Sequence, residues 1–147
     1  MKTIFKDSDR QALRKRIDAV TAQATPRWGK MNAGQMLSHL VQTLRMATGE
    51  MPTKSRRLPM RYPPLRQFII YLMPFPKGVG TAKELMPVDG VELAASRDDL
   101  HHLLEALARK QSERSWPEHP AFGRLSGREW GVLVYRHFDH HLRQFGV

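Results

Sequence analysis

"LSGREWGVLVYRHFDHHLRQFG", residues 125–146, reads as one helix with its own start and stop signals. Ser126 and Glu129 have the spacing of a capping box, in which two side chains satisfy backbone N–H groups that a first helical turn leaves open. Leu125 can staple against Trp130, and Gly146 follows Phe145 as a terminator. Advancing about 100° per residue from Trp130 gathers Leu133, Val134, Phe138, Leu142 and Phe145 on one broad side, with Arg136, Asp139 and Arg143 opposite. A helix of this kind must bury its apolar side against other helices.

Three more helices have such signals. Ser8 with Gln11 predicts a capping box for a first helix whose core positions are Leu13, Ile17 and Val20 and which stops at Thr25-Pro26. Asn32 and Gln35 predict the start of a second, with Met31 able to staple against Met36, a stripe of Met36, Leu37, Leu40, Val41 and Leu44, and an end near Gly49. A third long helix is expected to start near Ser96, with Asp98 and Asp99 at the positive end of its dipole and Leu100, Leu103, Leu104 and Leu107 buried. Residues 49–95 form a long, proline-punctuated connection with one short helical candidate, Pro64–Met73. Strand signals are weak. The expected fold is therefore all-α, a four-helix bundle in a single domain over residues 1–147, with sites placed between facing helices.

Composition narrows the chemistry. Apolar residues make up 41% and charged residues 26%, a globular balance, and the absence of cysteine excludes disulfides, thiolate ligands and cysteine nucleophiles. Any metal must be held by nitrogen and oxygen. The amino terminus lacks an apolar leader and "FIIYLMPF", residues 68–75, is too short to span a bilayer, so the expected location is cytoplasmic. The formal charge of +10 suits nucleic acid, a membrane surface or a small anion. Much of it lies in "KSRRLPMRYPPLR", residues 54–66, a solvated basic loop or an anion-facing one. "PFPKGVGTAK", residues 74–83, lacks the spacing of a nucleotide-binding loop.

The last helix also carries three of the seven histidines within five positions. His137 and His141 fall on its apolar side and His140 towards the edge. Side chains at i and i+4 lie within about 6 Å at Cβ, close enough for two imidazoles to share a metal at about 2.0–2.1 Å. Two core histidines hydrogen-bonded to carbonyls would have the same spacing. A third ligand would have to come from another helix, and His39 in "QMLSHLVQTL" sits mid-helix at the margin of the leucine stripe, facing a seam between helices or water. His101 and His102 are adjacent and point to different faces. His119, in "WPEHPAFG", either lines a pocket or packs in a loop with Trp116, Pro117, Pro120 and Phe122. Trp28, Trp116 and Trp130 are either pocket walls or core.

"RWGKMNAGQMLSHL" (27–40), "LMPFPKGVGTAKEL" (72–85) and "HPAFGRLSGREWGVLVYRHFDHHLRQFG" (119–146) together resemble the DinB-like superfamily of metalloenzymes, also called DinB/YfiT-like, in a branch catalogued as a domain of unknown function. The resemblance implies a four-helix bundle with a long irregular connection between its second and third long helices. It also implies a divalent metal held by His39, His137 and His141, and three imidazole nitrogens make zinc or nickel the expected ion; His140 could replace His141 if the helix were slightly rotated. Known relatives include thiol-dependent isomerases and transferases, and the superfamily allows a homodimer through an apolar bundle face.

The expected function is thus a metal-dependent transferase or hydrolase acting on a small molecule such as a low-molecular-weight thiol, with metal-activated water or thiolate as the reactive group. No general base is identified, because Glu129 is explained by capping and Asp139 lies on the far face. The alternative is a non-catalytic basic module that grips nucleic acid or another polyanion, or that serves in dimerisation.

Overall fold

A computed structural model describes residues 1–77, 90 and 92–147. Five helices, α1 (Asp7–Asp18), α2 (Ala33–Thr48), α3 (Leu65–Tyr71), α4 (Leu93–Arg109) and α5 (Gly127–Gln144), carry the structure, and β1 (Glu118–His119) pairs antiparallel with β2 (Gly123–Arg124) in a small hairpin. The protein is therefore mostly helical, and among its described residues the long connection contains α3 and a 3-10 turn, Pro59–Arg61.

α2 packs most extensively along α4, α5 lies against α1, α2 and α3, and α1 also touches α4. The stripes read from the sequence meet in one continuous core: Leu13 and Ile17 of α1, Leu37, Leu40 and Leu44 of α2, Leu100, Leu104 and Leu107 of α4, and Trp130, Phe138 and Leu142 of α5 are all buried. Truncating such a leucine to alanine typically costs about 2–5 kcal/mol, so these stripes hold the helix arrangement in place.

Both clear capping boxes form. Asn32 accepts from the Gln35 N–H at 2.8 Å, and the Ser126 N–H donates to Glu129 at 2.8 Å. α2 ends at Gly49 in the left-handed conformation. Two predicted starts are displaced. α1 begins at Asp7 after Lys6, so Ser8 lies inside the helix and its box with Gln11 does not form. The cause is an upstream anchor: Ile4 is fully buried, its N–H donates to the Gly131 carbonyl at 3.2 Å, and Asp9 accepts the Thr3 N–H. Gly131 permits that approach, because a Cβ there would stand 2.4 Å from the Phe5 ring. α4 begins at Leu93, three residues before Ser96, which is buried within the helix; Asp98 and Asp99 therefore sit beyond the first turn, and Asp99 pairs with Arg45.

Part of the basic segment is built into the fold, while Lys54, Arg56 and Arg57 are exposed. Arg66 donates to the buried Glu129 at 3.1 Å, Arg61 pairs with Glu118, and the backbone N–H of Arg56 donates to the Pro120 carbonyl. Arg136 of α5 closes the carboxyl end of α3 by donating to the carbonyls of Ile69, Ile70 and Met73. These contacts tie residues 56–73 to the hairpin and to α5. Residues 78–83 of "PFPKGVGTAK" lie outside the described residues. No helix among the described residues is long and apolar enough to cross a membrane.

Candidate metal centre

His39 projects from the middle of α2, and His137 and His141 from successive turns of α5. Their nitrogens converge: one ligand atom from each ring lies within 4.8 Å of the others. The Nε2 atoms of His39 and His137 are 3.0 Å apart, and the three ring centroids are 4.7–5.1 Å from one another. Two nitrogens bound to one tetrahedral ion at about 2.0–2.1 Å stand about 3.4 Å apart. To hold one ion, the His39–His137 pair would open by a few tenths of an ångström, and any nitrogen pair near the 4.8 Å limit would close by about 1.4 Å.

Burial sets the protonation state. His39 and His141 are buried at 2% and 8% exposure, and His137 is half-buried. Desolvation pushes His141 down to about 4, with a further push from a neighbouring His39 charge and an opposing hydrogen bond from Gln144. His137 is held well below its ordinary value first by burial and then by His141 and His39. Both rings are neutral at pH 7 and keep a lone pair for a metal.

The tautomer of His141 is fixed by a residue the sequence reading did not single out. His141 Nδ1–H donates to Gln144 Oε1 at 2.9 Å, while Gln144 Nε2 donates to the Trp28 carbonyl. With its proton on Nδ1, the His141 lone pair is on Nε2. Metal-binding histidines are commonly oriented by such an outer partner. The relay needs a close approach of chain: Gly29 adopts φ +79°, and a Cβ there would fall 2.6 Å from Gln144 Nε2. The available signal was spacing, since Gln144 follows His141 by three positions on the same side of the helix.

The remaining histidines separate cleanly. His140 is outside the three-histidine cluster, its ring half-buried against Trp28 and Phe75, although it also lines the cavity and lies beside His141. His101 bridges α4 to Asp18 at 2.7 Å, and His102 is exposed. His119 lies on β1 near the cluster but is not one of its three residues.

The cluster opens into a cavity of about 830 Å³. Its walls are mostly apolar, with Trp28, Met46, Phe75, Phe122, Trp130 and Leu133 among them. Lys30 and Arg56 also line it, and no described Asp or Glu does. Of the three tryptophans only Trp28 and Trp130 are walls; Trp116 packs against Phe5 and Gly127. A neutral nitrogen cluster in a cavity of this size can bind a metal ion and still leave room for a small molecule.

The chain belongs to the DUF1569 family. The family model matches residues 4–146, and its description is a protein of unknown function. No curated protein and no solved structure matches the chain. Any chemistry assigned to this DUF1569 protein therefore rests on the geometry above.

Proposed function

We propose that this protein is a single-domain, four-helix bundle metalloenzyme of the DinB/YfiT-like type, with His39, His137 and His141 as ligands to a divalent ion, zinc or nickel. The observation that carries the reading is the convergence of three imidazoles, from two helices, on a cavity whose described lining has no carboxylate. Three neutral ligands preserve the full charge of the ion and leave it an open position, the arrangement of catalytic rather than closed structural sites. When bound, such an ion supplies Lewis acidity that makes a thiol or water more acidic.

The chain's own residues define the partner. Lys30 and Arg56 favour an anionic small molecule, such as a low-molecular-weight thiol bearing carboxylates, and the apolar walls exclude water from the reacting groups. Gln144 holds His141 in its binding tautomer. The proposed reaction is thiol-dependent group transfer or hydrolysis.

The test is a screen of thiol conjugation and ester or amide hydrolysis with zinc-loaded and nickel-loaded protein. Activity that vanishes on chelation and in His137→Ala, but survives in His101→Asn, is the expected result. Function that is indifferent to chelation, or salt-sensitive nucleic-acid binding in its place, would overturn the proposal.

A further inference from the structure

His119 lines the same cavity, and its surroundings leave one of its two nitrogens for a ligand. It stands on β1, where the turn into β2 brings the backbone N–H groups of Ala121 and Phe122 to its Nδ1 at 3.1 and 3.2 Å. A nitrogen that accepts two N–H donors cannot itself carry a proton, so the proton of the neutral ring is on Nε2. The ring is gripped by Phe122 and Trp130, at centroid distances of 4.9 and 5.4 Å. Trp130 is tied in turn to the strand's approach by its Nε1–H to the Pro117 carbonyl. Among the described residues no hydrogen bond engages His119 Nε2, and it is absent from the buried polar atoms that lack a partner.

A histidine that served only to close the turn would need Nδ1 alone. Here the far nitrogen is a donor of fixed direction on a rigid ring, set among apolar walls where a hydrogen bond is strong and water competes poorly. We infer that His119 is a ligand-binding residue whose Nε2–H donates to a carbonyl-type oxygen of a small molecule with an apolar body, held in the cavity beside the three-histidine cluster. The inference deepens the proposed function by naming a substrate class, and it rests on that reading only for the identity of the neighbouring cluster. Burial keeps the ring neutral, with its pKa pushed down to about 3, so the donor persists through the physiological range.

The experiment compares two probes, 2-acetylnaphthalene and 2-ethylnaphthalene, which differ in the oxygen acceptor, on metal-free wild-type protein and on His119→Asn. Asparagine can still offer an acceptor to the turn but cannot reach into the cavity with a donor. The ketone should bind wild type about 3- to 10-fold more tightly than it binds His119→Asn, the range of one neutral hydrogen bond, while the ethyl compound should show no such difference. Equal losses for both probes, no loss for either, or no binding of the ketone to wild type would each overturn the inference. Should His119→Asn fail to fold, imidazole ¹⁵N NMR of the wild type decides: the ketone must shift the His119 Nε2–H signal, and an unmoved signal overturns the role. Zinc titration in parallel separates the two proposals, since loss of zinc binding by wild type would remove the metal reading without altering the probe comparison.

Discussion

The α1–α4 side of the molecule and the α2–α5 side solve the problem of partly buried polar groups in opposite ways. On the first, carboxylates meet basic side chains: Glu105 accepts from Arg10 and Arg14 at 3.0 and 3.1 Å, and His101 Nε2 lies 2.7 Å from Asp18. On the second, three imidazoles converge, no described carboxylate lines the adjoining cavity, and an amide relay fixes His141. Ion pairs explain the first arrangement as a means of joining helices. The second brings together groups whose protonated forms would repel one another, an expensive arrangement unless the site binds something positive.

Acid should expose that contrast most strongly. The unfolded chain takes up protons on histidine below about pH 6.5, whereas folded His141 resists down to about 4 and His119 to about 3. Their contribution is fully present above about pH 6.5 and is lost as pH falls, by about 1.4 kcal/mol per pH unit for each group until its folded value is reached. Urea unfolding of metal-free protein should show a steep loss between pH 6.5 and 4, shallower in His141→Gln.

Loss of one ligand comes next. His137→Ala should weaken zinc or nickel binding by about 100-fold or more, given the several kcal/mol each ligand of such a site supplies, as measured by competition with a chromophoric chelator. Gln144→Ala should have a smaller effect of the same kind, about 10- to 100-fold, because the ligands remain while the orientation of His141 is lost. At the small end, His101→Asn on the ion-paired side should reduce stability by no more than about 1 kcal/mol and leave metal affinity untouched. A drop in metal affinity in that variant would break the contrast between the two sides.

Much of this was legible in the chain. α2 and α5 announce themselves because a cap, an apolar stripe and a terminating glycine agree in each, and the His137–His141 spacing follows from helix geometry alone. The starts of α1 and α4 were less legible. Ser8 and Ser96 are good caps locally, but the pinned Ile4 segment draws α1 upstream and Ser96 is buried within α4, effects that no short window contains. The same limit hid the Gln144–Trp28 contact, which spans residues far apart in sequence, and the way Arg61 and Arg66 of the basic run are paired with Glu118 and Glu129. The hairpin escaped notice because each strand is two residues long and its turn is organised by the His119 side chain rather than by a strong strand pattern.

The central claim is that the three imidazoles form one metal site. Elemental analysis of protein purified without a histidine tag, beside His39→Ala, His137→Ala, His141→Ala and His101→Ala, addresses it directly. Near-stoichiometric metal in the parent and in His101→Ala, lost in the other three, is the predicted result. A parent that stays metal-free after incubation with zinc or nickel, or metal that persists in any one of the three cluster variants, would contradict it.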